Sequence, residues 1–254
     1  MLINERHQKI LDLLRDKVNI SSQELSELLF VSPATVRRDL AYLYSKGLII
    51  KHHGYAQSVF TSQVEYTSLI RAQAQINEKK RIAERCNEFL RDEFTYFIDS
   101  STTASYVIPY FSKFSNITLV TNGLDTANQL SYFTQFHLFL VGGAISFSTN
   151  STVGSDTVEH IKNFNSNIFI FSCQSIDING GVMEANYEQM RTKAAMLGNS
   201  KKHILLVDST KFDKLSSYKT CNFDDIDILI TDKMPSQDYV KVFEKNNIRL
   251  IVAE

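Results

Sequence analysis

The chain has 254 residues, of which 43% are apolar and 22% charged, and its formal net charge is −1. These values are ordinary for a soluble globular protein and suit one large domain or a small domain joined to a medium one. No apolar run approaches the roughly 18 residues of a membrane span, and the first 20 residues are too charged for a signal peptide, so we expect a cytoplasmic protein.

Residues 4–50 predict three short helices. Ser21 begins a capping box before the second helix. Ser32 is the expected N-cap of the third helix, with Pro33 at its first position and Gly47 at its end. The connection between the second and third helices is tight, which is typical of a helix-turn-helix.

The stretch "GLIIKHHGYA" follows as two short extended pieces around a basic tip. Three helices and a hairpin predict a winged helix-turn-helix, whose third helix enters the major groove of DNA. Residues 1–60 carry eight Lys and Arg against six Asp and Glu, a mild basic excess. The alternative is a small helical domain with a solvated charged face. The residues expected to contact DNA are Ser32, Thr35, Arg37, Arg38, Tyr42, Lys46, Lys51, His52 and His53.

We therefore assign residues 1–56 to a DNA-binding domain, 57–75 to a polar linker and 76–254 to a second domain. In the second domain, short apolar runs alternate with helical patterns, which predicts an α/β fold with a mostly parallel sheet covered on both faces. The seven predicted strands are "FTYFI", "NITLVT", "FHLFLVG", "NIFIFS", "HILLVD", "DILIT" and "IRLIVA".

One stretch of the second domain, "IDSSTTASYV", has a carboxylate and four hydroxyls between a strand and a helix that begins near Thr102. The start of a helix has unpaired N–H groups and suits a phosphate, although such a turn is often only a capped helix. Other marked turns also follow apolar strands, at Thr121–Asn122, Gly142–Gly143 and Asp208–Lys211. Ligands bind outside the carboxyl ends of parallel strands, so these loops are expected to line one site.

Residues 6–56 carry a resemblance that continues in order through "EKKRIA", "FIDSSTTASYV", "LVTNGLDTANQL", "LVGGAI", "VGSDTVEHI" and "LLVDSTKFDK" and so covers nearly the whole chain. In these stretches the chain resembles the DeoR family of bacterial transcriptional repressors. The resemblance implies a Rossmann-like sensor domain similar in fold to ribose-5-phosphate isomerase, with a phosphorylated sugar as its effector. Three positions depart from the family pattern: Ser101 replaces a glycine, Tyr55 replaces a glycine of the wing, and Arg191 replaces a glutamate.

The predicted effector site joins the loop residues to two lysines. The hydroxyls from Ser100 to Thr103 suit a phosphate, glycines allow close backbone approach or a positive φ, lysines supply cations, and aspartates accept from sugar hydroxyls. Each residue also has a plainer interpretation, as a cap, a turn or a surface lysine. The residues are Asp99, Ser100, Ser101, Thr102, Thr103, Thr121, Asn122, Gly142, Gly143, Lys193, Asp208 and Lys211.

The function that these features favour is repression of a sugar-utilisation operon, with release by a phosphorylated sugar. The alternatives are a phosphosugar isomerase with a DNA-binding domain, for which Asp99 or Asp208 would be the base, and an architectural DNA-binding protein with a degenerate sensor. We expect no cofactor and no metal, since no metal-ligand spacing, Walker loop or G-x-G-x-x-G occurs. The three scattered cysteines are expected to be plain thiols. A single winged helix covers a small site, so we expect a homodimer or homotetramer associating through the second domain.

Overall fold

The computed structural model describes residues 3–17, 19–45, 48–52, 54–58 and 68–254. The chain divides into two compact units, Met1–Arg71 and Ala72–Glu254. Residues 59–67 of the predicted linker lie outside the described residues, and the bounds of the linker stay a prediction.

The first unit contains the three predicted helices and the predicted hairpin. Its elements are α1 (Ile3–Lys17), β1 (Asn19–Ser21), α2 (Ser22–Leu29), α3 (Pro33–Ser45), β2 (Ile49–Lys51) and β3 (Tyr55–Ser58). Strands β2 and β3 pair antiparallel as predicted, with Lys51 opposite Ala56. The strand β1, which the sequence analysis missed, pairs with the other edge of β3 and is too short to show a periodic pattern.

Side-chain caps and an apolar core explain where these helices begin and how they pack. The hydroxyl of Ser21 accepts from the N–H of Glu24 at 3.1 Å, and that of Ser32 accepts from the N–H of Thr35 at 3.2 Å. The predicted apolar face of α3 is buried against leucine and isoleucine side chains of the other helices. The predicted helix stop at Gly47 lies outside the described residues.

Phe30 ends α2 in the left-handed conformation, with a φ of 53°, and its side chain is 94% exposed. A left-handed residue with a Cβ costs about 1–2 kcal/mol, and this ring gains almost no burial in return. Phe30→Gly should therefore raise the free energy of unfolding of the first unit by about 1 kcal/mol in urea titrations followed by circular dichroism. Phe30→Ala, which keeps a Cβ at the same φ, is the control; an equal gain in both variants would contradict the backbone explanation.

The second unit contains all seven predicted strands and five further strands that were not predicted. Its strands are β4 (Thr95–Ile98), β5 (Thr118–Thr121), β6 (His137–Leu140), β7 (Ala144–Ser146), β8 (Ser151–Val153), β9 (Ile168–Phe171), β10 (Ser175–Asp177), β11 (Gly181–Glu184), β12 (His203–Val207), β13 (Tyr218–Cys221), β14 (Ile228–Thr231) and β15 (Arg249–Val252).

Helix α4 (Ser68–Gln73) contains the point at which the two units divide, and the remaining helices belong to the second unit. They are α5 (Ile76–Cys86), α6 (Thr102–Ser105), α7 (Leu124–Leu130), α8 (Ser155–Ile161), α9 (Tyr187–Gly198) and α10 (Gln237–Lys245). The helices predicted from apolar spacing correspond to α5, α6, α7 and α9.

The seven predicted strands form one parallel sheet, which confirms the predicted fold class. Their order is β15-β14-β12-β9-β4-β5-β6. From β4 the chain builds β5 and β6 on one side, and then β9, β12, β14 and β15 on the other. The order therefore reverses between β4 and β9, the position at which open α/β sheets place their ligands.

Both faces of this sheet are covered by apolar side chains. On β4, Tyr96 and Ile98 point into one core cluster and Phe97 into the other. A sheet buried on both faces explains why its strands read as continuous apolar runs. The additional strands form the hairpin β7–β8 and a small antiparallel sheet β10-β11-β13, and their mixed polar sequences of three or four residues gave no signal.

The three cysteines are free and buried, as expected for plain thiols. Burial raises the pKa of each thiol, that of Cys173 to about 12, so all three are protonated near neutral pH. Among the described residues, no helix combines the length and the apolar character needed to cross a membrane.

Candidate functional site

The outward face of α3 presents the predicted DNA-contacting side chains to solvent. Arg37, Arg38 and Tyr42 are exposed, whereas Thr35 is half-buried and shares a 2.9 Å hydrogen bond with the hydroxyl of Ser32. Exposed arginines on a helix that follows a tight turn can reach phosphates and the bidentate acceptors of guanine. Lys46, also predicted on this face, lies outside the described residues.

The inward side of α3 is fixed to α1 by a buried carboxylate. Asp39 accepts from the Arg6 guanidinium at 2.5 and 2.9 Å and lies 3.1 Å from Nε2 of His7. Burial alone would raise the pKa of Asp39, but the bonds from Arg6 and His7 outweigh it and hold that pKa below its usual value. The ring of His7 also stacks on Tyr42 at 4.8 Å. These contacts set the orientation of the helix that carries the exposed arginines.

This carboxylate was not among the residues predicted from the sequence, although the sequence carries a signal for it. Asp39 follows Val36 by three residues and precedes Leu43 by four, so helical spacing puts it on the apolar face. A charged residue on that face needs a buried partner.

The wing carries an aromatic pair at its tip. His52 stacks on Tyr55 at 4.5 Å, and its Nε2 lies 2.8 Å from Oε1 of Gln57. Gly54 adopts a φ of 85°, which permits the tight reversal between the strands. Lys51 is exposed beside this pair, while His53 lies outside the described residues.

The predicted phosphate loop lies where the sheet order reverses, at the carboxyl end of β4. Ser101 caps α6 by accepting from the N–H of Ala104 at 3.2 Å, and its own hydroxyl donates to Asp99 at 2.5 Å. The other carboxylate oxygen of Asp99 accepts from the N–H of Ser172, after β9, at 3.3 Å. The serine that replaces the family glycine therefore points inward and stiffens the loop. Its φ of −73° requires no glycine.

Lys193 lies beneath this loop, enclosed by three oxygen atoms. Its Nζ is 3.0 Å from Asp99, 2.5 Å from Glu184 and 2.7 Å from the carbonyl of Ser172. Burial alone would lower the pKa of Lys193, but the two carboxylates outweigh it and raise that pKa above its usual value. An ammonium group has three N–H donors, so all of them are used within the protein. This differs from the prediction that Lys193 gives its cation to a phosphate.

Asp99 also differs from the prediction that it accepts from a sugar hydroxyl, because it is buried and both of its oxygens accept from protein donors. For Asp208, which is also buried, contact with an effector stays a prediction. Asp208 accepts from the N–H of Thr210 at 3.1 Å and from the hydroxyl of the same residue. It thereby caps the turn that carries the half-buried Lys211.

A second buried lysine, which the sequence analysis did not select, reaches the loop from α5. The Nζ of Lys79 donates to the hydroxyl of Thr102 at 3.1 Å, and Lys79 is only 3% exposed. A buried cation beside a row of hydroxyls favours an anion there. The available signal was its place in "EKKRIA", ahead of the loop in the chain, but an isolated lysine in a charged helix looks like a surface residue.

Gln189, on α9, connects the loop to the hairpin β7–β8. Its Oε1 accepts from the hydroxyl of Ser100 at 3.2 Å, and its Nε2 donates to the hydroxyls of Thr149 and Ser151 at 2.9 and 2.7 Å. This residue was also missed, because a glutamine in a helix carries no distinctive pattern.

The loop after β5 packs directly against the phosphate loop. A Cβ added at Gly123 would lie 2.9 Å from the Cα of Ser100, so glycine permits this approach. Thr121 accepts from the N–H of Gly123 at 3.0 Å. Asn122 is buried and donates to the carbonyl of Thr152, while its Oδ1 has no hydrogen-bond partner among the residues that the structure describes. A buried acceptor without a partner is costly unless a ligand supplies a donor.

The predicted glycine pair packs against α8. Gly143 has a φ of 145°, and a Cβ there would lie 1.9 Å from the hydroxyl of Thr157. Gly142 donates to Nδ1 of His160 at 3.0 Å and accepts from Thr157 at 2.8 Å. The close approach that the glycines were expected to permit is therefore to a helix of the protein itself. A contact between these glycines and an effector stays a prediction.

Comparison with protein families identifies both units. Residues 6–62 match the DeoR-like helix-turn-helix domain, and residues 74–233 match the DeoR C-terminal sensor domain.

Two relatives and one solved structure illustrate the similarity. The glycerol-3-phosphate regulon repressor of Escherichia coli K12 is 33% identical over 246 residues, covering 97% of this chain and 97% of that protein. The HTH-type transcriptional repressor CsqR of the same strain is 27% identical over 254 residues, covering 99% and 96%. Ribose 5-phosphate isomerase from Plasmodium falciparum is 15% identical over 53% of this chain and 52% of that one, with a TM-score of 0.39. That likeness is too low to support a statement about function.

Proposed function

We propose that this chain represses genes of sugar-phosphate metabolism and leaves its operator DNA when a phosphorylated effector binds. The premise is that the chain belongs to the DeoR family of bacterial transcriptional repressors. The part of this proposal that concerns effector binding rests on the loop from Ser100 to Thr103, at the point where the sheet order reverses. The part that concerns DNA binding rests on the exposed arginines of α3. The contacts of Asp39 with α1 fix the orientation of that helix.

The effector is a small phosphorylated sugar or polyol. One relative is named for the glycerol-3-phosphate regulon, which makes glycerol 3-phosphate the first compound to test. The phosphate is bound by the hydroxyls of Thr102 and Thr103 and by the ammonium group of Lys79, while the hydroxyl of Ser100 donates to Gln189. The free Oδ1 of Asn122 accepts from a hydroxyl of the ligand.

Three predicted contact residues are assigned a positioning role instead. The polar atoms of these residues, Asp99, Ser101 and Lys193, form hydrogen bonds and an ion pair with one another and with neighbouring strands. They hold the loop ready in the shape that receives the phosphate, which reduces the ordering cost of binding.

An isomerase activity has less support. The two relatives compared above are named as repressors. Proton transfer between carbons needs a carboxylate base with a free oxygen facing the sugar. Of the two candidates, Asp99 is buried with both oxygens bonded to protein donors, and Asp208 is buried and uses Oδ1 to cap its own turn.

Substitutions on α3 and the wing test the proposed contacts with DNA. Arg38→Ala should weaken binding to the selected operator by about 1–3 kcal/mol, roughly 5- to 150-fold, while binding to unrelated DNA changes much less. Lys51→Ala should weaken both DNAs alike and reduce the slope of log K against log salt by about 0.9, one phosphate contact. Fluorescence anisotropy at two or more salt concentrations measures both effects, with DNA selected by the full chain from a random pool.

The control for these two variants is Lys241→Ala, an exposed lysine of the second unit. It should leave affinity and salt slope unchanged. Unaltered operator affinity in the Arg38 variant would contradict the assignment of the α3 face.

A further inference from the structure

The hydroxyl groups of the β7–β8 hairpin form a chain of hydrogen bonds in which the direction of donation is fixed. Thr149 donates to Ser146 at 2.8 Å, and its oxygen lies 2.8 Å from that of Ser151. A hydroxyl has one proton, so Thr149 has none left and the proton of the second contact comes from Ser151. Both residues are buried, at 2% and 0% exposure. Toward any further neighbour, both oxygens can therefore only accept.

These two oxygens fix the orientation of the side-chain amide of Gln189, which is itself only 2% exposed. The oxygens of Thr149 and Ser151 lie 2.9 and 2.7 Å from it, and since both can only accept, the NH₂ group faces them. The reversed amide would place its own oxygen against two acceptors, which is costly in a buried site. Oε1 therefore faces the phosphate loop, and Ser100 donates its single hydroxyl proton to it at 3.2 Å.

Toward a ligand, the hydroxyl of Ser100 is consequently left with lone pairs only. Ser100 is half-buried, and the loop after β5 packs against it through Gly123. That loop carries Asn122, which is 1% exposed and whose Oδ1 has no hydrogen-bond partner within the described part of the chain. Two neighbouring loops thus supply acceptors beside Lys79 and Thr102, the groups that suit a phosphate.

We propose that Ser100, oriented by Gln189, determines which effectors bind: it accepts from a hydroxyl of the effector and rejects a carbonyl in the same place. The inference rests on the proposed function, because it assumes that a phosphate is held by the same loop. A hydroxyl can donate to Ser100, whereas a carbonyl oxygen only accepts and leaves Ser100 unpaired. Ser100 is two residues from Thr102, so the hydroxyl it selects is close to the phosphate. The favoured ligands are polyol phosphates and the disfavoured ones keto phosphates.

Isothermal titration calorimetry on the full chain tests this with glycerol 3-phosphate and dihydroxyacetone phosphate, which carry a hydroxyl and a carbonyl at C2. Wild type should bind glycerol 3-phosphate about tenfold or more tightly, because the carbonyl leaves Ser100 without a donor. Gln189→Met removes the amide and frees the proton of Ser100 to donate to a carbonyl. The two affinities should then differ by about threefold or less.

Ser100→Ala is a second variant, which removes the acceptor and leaves the hairpin contacts of Gln189 in place. It should lower the ratio of the two affinities in the same way. The control is Gln129→Met, at an exposed glutamine of α7, which should keep the wild-type ratio. Circular dichroism checks that all three variants are folded.

The ratio of affinities separates orientation of Ser100 from a merely structural role of Gln189. A structural role would weaken both ligands alike in Gln189→Met and leave the ratio unchanged, and that result would overturn the inference. Equal and measurable affinities of wild type for the two ligands would also overturn it, while the proposed phosphate site would stand. Binding of neither ligand would overturn the phosphate site together with the inference.

Discussion

A phosphorylated effector should bind the full chain at least about 100-fold more tightly than the same molecule without its phosphate. The loop offers the phosphate hydroxyl donors and the ammonium group of Lys79, which lies 3.1 Å from the hydroxyl of Thr102. Each hydrogen bond to a charged group contributes about 1.5–3 kcal/mol, so the loss of two of them costs about 3 kcal/mol or more of binding free energy. A difference of about 2.7 kcal/mol already corresponds to about 100-fold in affinity. Isothermal titration calorimetry on the phosphorylated and unphosphorylated pair measures this ratio.

The variant Thr102→Val refines the same prediction, because it removes the hydroxyl and keeps the side-chain volume. Affinity for the phosphorylated ligand should fall about tenfold or more, while affinity for the parent molecule stays the same. The matched control is Thr118→Val, at the amino end of β5 and so at the opposite end of the sheet from the loop. Equal affinities of wild type for the two ligands would mean that the hydroxyls only cap a helix.

The sheet and the position of its loops were predictable from the sequence for a simple reason. The five central strands of the sheet are apolar runs buried on both faces, and each ends at a polar turn. Parallel strands bring those turns to one edge, so the loops at Asp99 and Thr121 were expected to be neighbours. The close approach of Gly123 to Ser100 bears this out.

The contacts among buried polar side chains were not predictable in the same way. The bonds from Lys79 to Thr102 and from Gln189 to Ser100 join residues 23 and 89 positions apart. A lysine or a glutamine in a helix resembles a surface residue until the packing is known. The same reason accounts for Lys193, which was expected to face a ligand but is neutralised by Asp99 and Glu184. The carboxylates packed around Lys193, and not its residue type, decide that its cation is not available to a ligand.

Lys193→Met should destabilise the second unit by about 3–5 kcal/mol, because it leaves the carboxylates of Asp99 and Glu184 buried without their cation. Urea unfolding at pH 7.5, followed by circular dichroism, measures the loss. Adding Glu184→Gln should recover part of it, because only one uncompensated carboxylate then remains. Lys202→Met, at an exposed lysine, is the control and should change the free energy of unfolding by less than about 0.5 kcal/mol.

The pH dependence of the free energy of unfolding separates this charge effect from simple loss of packing. In wild type the folded pKa of Lys193 is raised, so its stabilising contribution is fully present at neutral pH and is lost only as the pH rises through that raised value. In Lys193→Met the uncompensated carboxylates take up protons more readily when folded, so the deficit relative to wild type should shrink between pH 7.5 and pH 5. A deficit that stays constant over that range would point to lost packing. A variant as stable as wild type would contradict the stabilising role assigned to the buried ion pairs of Lys193, on which the rigidity of the phosphate loop depends.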